Sequence, residues 1–584
     1  MNKIRIWLSH PSVPFIAVIL AVGLTLPSLW NGFALDDHIH RNILLSDTPM
    51  SVRFMSALNL FCFVSEENSW RFEAGKKLGS VPWWSPDDSK VCFFRPVTSI
   101  THWFDYQFWP NTPTLMHLQS LTWFGMLVFF VSLLYRRILG VKWVAGLAAL
   151  FFAVDPAHGI PAGWLANRNV LIAGVFGVLC LIVHDQWKQK GWRFGFLLGP
   201  LCFALALLSK EAGIAIGAYL ISYTLFLEQG SIRKRLIHFI PYALVFLSWA
   251  VTYVLLDCGT SNFAVYTDPL NEPLLYLKAI FLRAPVYLLG QWILPVGLHY
   301  AIWPSIIHRA GLIFSVLLIF ILFPLIRKDR TAQFWTLGMF LSLLPICAVL
   351  PGDRNLLFVG LGAMGLLAQW IYWMVHTGWK VPSLPLRVVT RIMVVIFILI
   401  HLLIHPILLP RSSRGMAVMD EKIKRASASL PPGSETEAWM FILTNNPLYM
   451  FFVSSVQREI MNQGGQFTPF LALSSGNHSV TYTRKDLYTI NVQSENGSLT
   501  DLDNRPLGKE YAMQPGQIVR LNNAVVEVLE VSNGLPSRVQ FRFRFPLDDP
   551  SFLWFRWENG SYVPFTPPEI GEAVTIEGSP FTIG

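Results

Sequence analysis

Apolar runs of roughly 17–22 residues recur through the first 410 positions, and each could cross a hydrocarbon core about 30 Å thick. They lie near 13–30, 115–134, 143–155, 169–184, 195–208, 212–227, 236–256, 309–326, 333–350, 355–375 and 392–409. Of the 584 residues 53% are hydrophobic and only 14% charged, against about 25% charged in an ordinary soluble chain. A cytosolic enzyme, a disordered protein and a disulfide-stapled secreted domain are excluded. The pattern predicts a polytopic α-helical membrane protein of about eleven spans.

The net charge of +9 is unevenly placed. Residues 1–410 carry 30 Lys+Arg and 18 Asp+Glu, whereas residues 411–584 carry 15 and 18. No basic stripe or stacking platform points to nucleic acid. The excess sits instead in six short segments: Lys3/Arg5, Arg136/Arg137/Lys142, Lys188/Lys190/Arg193, Arg233/Lys234/Arg235, Arg327/Lys328/Arg330 and Lys380/Arg387/Arg391. Short basic loops stay cytoplasmic. Eleven spans then place the N-terminus inside and the C-terminus outside, with a bacterial inner membrane as the expected setting. Counting the apolar stretch 276–300 as a crossing would put Arg327, Lys328 and Arg330 outside, so it is read as re-entrant or interfacial. The first span has a basic start but no small-x-small cleavage site before Trp30, and it reads as an uncleaved helix. Among the six cysteines only Cys62 and Cys92 share an outer loop, which allows one disulfide. No CxxC or HExxH pattern marks a metal site.

Two long outer loops remain, at about 31–114 and 257–308. The first opens with Asp36-Asp37 directly after span one. An acidic pair there is often a solvated helix end. It could also be a general base that takes a proton from a hydroxyl acceptor, or a site for a divalent cation. The loop closes on Phe94-Arg95-Pro96 and an aromatic run containing Trp103, Phe104, Tyr106, Phe108 and Trp109, with His117 entering span two. Guanidinium is the preferred partner of phosphate, which makes Arg95 informative. Asp155-Pro156-Ala157-His158, Asn167-Arg168-Asn169, Ser209-Lys210-Glu211 and Gly352-Asp353-Arg354-Asn355 occupy the other outer junctions. Each alone could be a cap, a turn or a structural ion pair. Together they ring one outer cavity with acids, arginines, a lysine and histidines.

The matching stretches read FALDDHIHRNILL, FRPVTSITHWFDYQFWPNTPTLMHLQSL, AVDPAHGIPAGWLANRNVLIAG, LALLSKEAGIAI and LLPICAVLPGDRNLLFVGLG, within about residues 10–375. In this order they resemble the C-superfamily (GT-C) of integral-membrane glycosyltransferases, in the branch of protein O-mannosyltransferases and tetratricopeptide-containing transmembrane mannosyltransferases. The resemblance implies inverting transfer of a sugar from a polyprenyl-phosphate carrier to a protein, glycan or lipid acceptor on the non-cytoplasmic face. It implies Asp36 or Asp37 as catalytic base, and Arg95, Arg168 and Arg354, helped by Lys210, as holders of the carrier phosphate. His117, His158 and Glu211 would shape the cavity, with Asp353 beside Arg354 in the substrate site. Displacement at an anomeric carbon asks for this division of charge, a base on one side and cations on the leaving group. The chain departs from the family pattern at Ile160 and Val170, where acids are usual, and at Gln119, where an Asn is usual. No tetratricopeptide segment follows.

Residues 411–440 read as a polar linker with one short helix. Period-two runs then predict strands near 449–454, 480–492, 524–531, 539–545, 552–556 and 573–577, separated by Asn-Gly, Pro and Gly turns. The expected organisation is therefore a membrane domain 1–410, a linker 411–440 and an extracytoplasmic β-sandwich-like domain 441–584. The sequons at Asn477, Asn496 and Asn559 occur at near chance frequency. Two other functions stay open beside sugar transfer: a transporter or flippase for a lipid-linked sugar, and a non-catalytic membrane anchor or sensor presenting the β domain. Polar residues at span ends and the lack of an internal repeat weigh against the former.

Overall fold

The computed structural model describes the chain except residues 1, 46–57, 66–68, 79–80, 263–264, 377–383, 432–439, 446–468, 476–477, 496–498, 500–512 and 579–584. The strand expected near 449–454, Lys380 and the sequons at Asn477 and Asn496 lie outside the described residues. The chain forms two units. Residues 1–62, 93–259 and 265–417 make the first, and 63–92, 260–264 and 418–584 make the second.

The first unit is helical, with a helix at each of the eleven expected positions. Eight helices of the described chain are long and apolar enough to cross a membrane, or nine if the bent pair Trp143–Ala153 and Pro156–Gly163 is one span. Gly195–Leu207 and Glu211–Phe226 are shorter apolar helices meeting at the Lys210 junction. Pro273–Trp292, expected to be re-entrant or interfacial, is a 20-residue helix that by length and composition alone could cross. Its hydrogen bonds, however, keep it along one junction. Tyr276 Oη donates to the Leu344 carbonyl, Arg283 Nη1 to Cys347, and Tyr287 Oη to Ile346. Just past the helix, the Val296 amide donates to Asp353.

Among apolar helices there is no hydrophobic drive to associate, so close packing and buried hydrogen bonds hold them together. Small residues permit the approach: a Cβ at Gly338 would lie 2.3 Å from the Tyr219 ring, and one at Gly362 2.6 Å from the Tyr219 hydroxyl. Tyr219 Oη donates to the Phe358 carbonyl at 2.6 Å, Tyr135 Oη to Leu361 at 2.7 Å, and Ser222 Oγ to Phe334 at 2.7 Å. At helix ends the sequence supplies its own stops. Asp329 caps Arg330–Ile346 by accepting from the Thr331 and Ala332 amides, and Gly191 ends Asn169–Lys190 in the left-handed region.

The segment expected as a linker is largely helical, through His405–Ser413 and Gly415–Ala428. Three short strands, β1 (Cys62–Val64), β2 (Lys90–Cys92) and β3 (Gly259–Ser261), form a small sheet in that order. The main body of the second unit contains β4 (Met440–Asn445), β5 (Phe470–Ser474), β6 (Val480–Arg484), β7 (Thr489–Ser494), β8 (Ile518–Arg520), β9 (Ala524–Ser532), β10 (Leu535–Phe543), β11 (Phe552–Glu558), β12 (Ser561–Pro564) and β13 (Ala573–Ile576). One sheet runs β13-β6-β7-β10-β9-β8 and the other β12-β11-β4-β5. Asn533-Gly534 and Asn559-Gly560, all at positive φ, turn the β9–β10 and β11–β12 hairpins. On β10, Val539, Phe541 and Phe543 point into the core while Arg542 stays exposed, as their alternation predicts.

That core takes in a residue from far upstream. Trp83, in the long segment after the first apolar helix, is 2% exposed and packs edge-on against Phe541 with ring centroids 5.7 Å apart. A β domain confined to 441–584 therefore lacks part of its own interior. Trp83→Ala should lower the stability of this unit by about 3–5 kcal/mol, measured by pulse proteolysis of the 418–584 segment in micelles. A loss below about 1 kcal/mol would remove Trp83 from the core.

Candidate functional site

The acidic loop is built before its acids. Asn31 Nδ2 donates to the Gly163 and Ser413 carbonyls at 2.8 and 2.7 Å, and His117 Nε2 donates to the Gly32 carbonyl at 2.9 Å. Gly32 adopts φ +65°, and Leu35 is driven to φ +51°, a strained value for a branched side chain, immediately before the helix Asp36–Leu44. The two carboxylates then separate in role. Asp37 is 1% exposed, and its oxygens accept from the Ala34 amide at 3.0 Å and the Ala166 amide at 2.7 Å. Trp164 Nε1 donates to the Ala34 carbonyl at 3.0 Å, closing the same knot. Asp36 makes no side-chain hydrogen bond among the described residues. Burial pushes its carboxyl up to about 6 against the pull of Arg354 and Arg95. Asp37 is pushed by burial to about 7, with the two amides opposing.

Arg95 stands just before Pro96, which starts the helix Pro96–Phe108. The Val97 amide donates to the Leu208 carbonyl, and Thr98 Oγ1 to Ser209, so the Arg-Pro motif is tied to the Ser-Lys-Glu junction. Arg95 Nε and Nη2 donate to Glu211 Oε2 at 2.9 and 2.7 Å, while Nη1 makes no hydrogen bond among the described residues. Lys210 Nζ donates to Asn167 Oδ1 at 3.2 Å and Asn169 Oδ1 at 3.0 Å. Burial, followed by the charges of Arg95 and Arg354, holds this amine well below its ordinary range. Arg354 lies over the Trp164 ring at 5.0 Å and has no carboxylate partner among the described residues.

The segment between Ile232–Leu255 and Pro273–Trp292 reaches this cluster through Tyr266, which bridges antiparallel to Val349. The Leu350 amide donates to the Val265 carbonyl, and the Thr267 amide to Ala348. Tyr266 feels the charges of Arg354, Arg95, Asp36 and Glu211. The site thus gathers Asp36, Arg95, Lys210, Glu211 and Arg354. Two arginines and the Lys210 amine stand with two carboxylates, one of which is already paired with Arg95. Such a cluster suits an anion with two or three oxygens.

Other expected residues stand elsewhere. Arg168 is fully buried, and each of its nitrogens is occupied. Nη1 pairs with Asp105 at 2.6 Å and also meets Gln119, Nε donates to Ser120, and Nη2 to the Met116 carbonyl. A guanidinium so enclosed has no edge for a phosphate, so it is corrected to a scaffold residue. His158 is fully buried against Phe152 and Phe124 rather than lining the cluster. Asp353 is engaged by backbone, accepting from the Val296 and Gly297 amides at 2.9 and 3.0 Å. Trp164, Tyr266 and Asp105 escaped the sequence reading. Asp105 carried a signal, an acid inside an aromatic helical run. The residues present do not fit a divalent cation at Asp36/Asp37. Asp37 is taken up by amides, Asp36 faces arginines, and no group of three or more His, Cys, Asp or Glu among the described residues could hold one.

These roles predict different stabilities. Asp37→Asn replaces an acceptor oxygen with a donor and should cost about 1–3 kcal/mol. Arg168→Ala, which strands Asp105, should cost about 3–5 kcal/mol. Asp36→Asn should stay within about 0.5 kcal/mol of the parent. Thermal or denaturant unfolding of the three purified variants checks the ranking.

No protein-family model matches the chain. A Caenorhabditis elegans protein O-mannosyl-transferase is 24% identical over 193 residues, 32% of this chain and 26% of that protein. A Mus musculus protein O-mannosyl-transferase is 29% identical over 142 residues, 24% of this chain and 15% of that protein. The matches thus span well under half of each relative. Among solved structures, the apo Archaeoglobus fulgidus oligosaccharyltransferase aligns at a TM-score of 0.36 and 12% identity, covering 77% of this chain and 64% of that one. ArnT from Cupriavidus metallidurans, bound to undecaprenyl phosphate, aligns at 0.33 and 12%, covering 72% and 83%. At such scores the alignments add no argument. The resemblance read from the motifs is thus borne out by sequence: over about a third of its length the chain is similar to protein O-mannosyl-transferases.

Proposed function

We propose that the chain transfers a sugar from a polyprenyl-phosphate carrier to a hydroxyl acceptor on the non-cytoplasmic face, with inversion and with Asp36 as general base. The observation that carries this reading is the contrast within the acidic pair. Asp37 is fixed by two amides, whereas Asp36 makes no side-chain hydrogen bond among the described residues and feels the charges of Arg354 and Arg95. A base must be able to swing toward the acceptor proton, and a carboxylate not pinned by backbone amides is freer to do so than Asp37.

In this reading the acceptor oxygen loses its proton to Asp36 and attacks the anomeric carbon. The bond from that carbon to the phosphate oxygen breaks, and the electron pair leaves with the carrier phosphate. Arg354, Lys210 and the Nη1 edge of Arg95 receive the growing negative charge. Donors arranged in advance outside bulk water make such stabilisation strong. A carboxylate and cations on opposite sides of one carbon give the back-side geometry that inversion needs. The sugar is a hexose, with mannose favoured by the names of the relatives. The short basic loops on the other side of the membrane support the non-cytoplasmic placement.

Transfer from a polyprenyl-phosphate hexose, read as released polyprenyl phosphate, tests the proposal. Asp36→Asn should reduce turnover by about 10²–10⁴ without loss of folded protein. In the parent, the rate should rise about tenfold per pH unit below 6 and level off above, because ionised Asp36 is the active form and its carboxyl titrates near 6. Arg354→Ala should raise the carrier KM and lower kcat. Full transfer by Asp36→Asn and by the double variant with Asp37→Asn would overturn the assignment.

A further inference from the structure

Trp164 occupies the break between two short helical turns, Gly159–Gly163 and Leu165–Asn167, in extended backbone at φ −130° and ψ 117°. The chain around it lies against the acidic loop. A Cβ at Gly163 would overlap the Ser413 carbonyl and come within 3.0 Å of Asn31 Nδ2, so a glycine is what lets these segments meet. Asn31 Nδ2 donates to the Gly163 carbonyl, the Trp164 indole Nε1 to that of Ala34, and the Ala166 amide to Asp37. The indole is buried in the process.

Its edge and its face meet different groups. The Ala34 carbonyl receives both the indole N–H, at 3.0 Å, and the Asp37 amide, also at 3.0 Å. Ala34 precedes Leu35, whose φ of +51° persists only where its surroundings hold it, and Leu35 precedes Asp36. Over the ring face, the Arg354 guanidinium carbon stands 5.0 Å from the centroid. The backbone on either side of Arg354 is fastened. Asp353 accepts from the Val296 and Gly297 amides, and Asn355 Nδ2 donates to Tyr287 Oη. The guanidinium itself makes no hydrogen bond or ion pair among the described residues. That leaves the attraction of a cation to an aromatic face to place it.

We infer that Trp164 is a positioning residue joining the two halves of the site, its N–H setting the loop that carries Asp36 and its ring face setting Arg354. The inference rests on the roles given above to Asp36 as base and to Arg354 at the carrier phosphate. The indole takes no part in bond making or breaking. Because one rigid side chain serves both groups, the separation of base and cation follows its covalent width instead of two independent contacts. Attack from one side of a carbon and departure from the other need that separation held, since small errors of placement are costly in rate. The two functions can be taken apart chemically. Phenylalanine keeps a ring face and loses the N–H, whereas leucine loses both.

The test uses the full chain with a polyprenyl-phosphate hexose as donor. Trp164→Phe should lower kcat about ten- to a hundredfold and leave the carrier KM within about twofold, because Arg354 keeps its ring. Trp164→Leu should show the same fall in kcat and also raise KM about three- to tenfold. Groups acting through one another give non-additive double variants. Trp164→Leu should therefore raise KM no further in an Arg354→Ala background, and Trp164→Phe should lower kcat no further in an Asp36→Asn background. Hydrogen exchange across residues 33–38, read without any substrate, should quicken in both Trp164 variants. Fully additive effects in the two backgrounds would overturn the bridge, as would parent kcat in Trp164→Phe, which also decides the matter should Trp164→Leu not fold. If the parent turns over no carrier, the sugar-transfer reading fails. Exchange across 33–38 then still reports whether the indole holds the acidic loop, and unchanged exchange would overturn the bridge by itself.

Discussion

The grip of the Asp37 carboxylate on the Ala34 and Ala166 amides is the contact on which the site depends. It joins the loop after the first apolar helix to the turn before Asn169–Lys190, two segments 129 positions apart in sequence. A buried carboxylate is tolerated because both oxygens are met by N–H groups. With Asp37 anchored, the helix Asp36–Leu44 starts at a fixed place, and the next side chain along the backbone has one direction available. The strained Leu35 is the local consequence of that anchoring. A neighbouring pair of identical residues is thus divided into one held by backbone amides and one without a side-chain hydrogen bond among the described residues.

A second layer makes the arrangement durable. Arg168 and Asp105 form a fully buried ion pair whose remaining donors are met by Ser120 and the Met116 carbonyl. Such pairs add little net stability compared with apolar packing, yet breaking one is costly. The helices Pro96–Phe108 and Pro113–Ile138 are thereby tied to the start of Asn169–Lys190.

Much of this was legible in the sequence, because the bilayer imposes long apolar runs and charge asymmetry. The helices, the Asp36/Arg95/Lys210/Glu211/Arg354 cluster and the Asn-Gly hairpins of the second unit all follow from local patterns. Arg168 was misjudged because sequence shows a guanidinium but not the Asp105 that encloses it. Tyr266 was missed because its place comes from a single antiparallel bridge to Val349, with no periodic signal. The helical run His405–Ala428 was hidden by polar composition. Burial and long-range pairing decide such cases, and neither is written in a local window.

The interior that Trp83 shares with Phe541 has a consequence for how the chain is made. Trp83 leaves the ribosome early, and its partner strand emerges roughly 450 residues later. At about 5–20 residues per second, that is a delay on the order of tens of seconds. Throughout it, Trp83 and Trp84 have no β core to enter, while the helices between are inserted. A later part of the chain therefore completes the surroundings of a loop made much earlier. A chain stopped short of residue 541 leaves two indoles exposed to surveillance by chaperones and proteases.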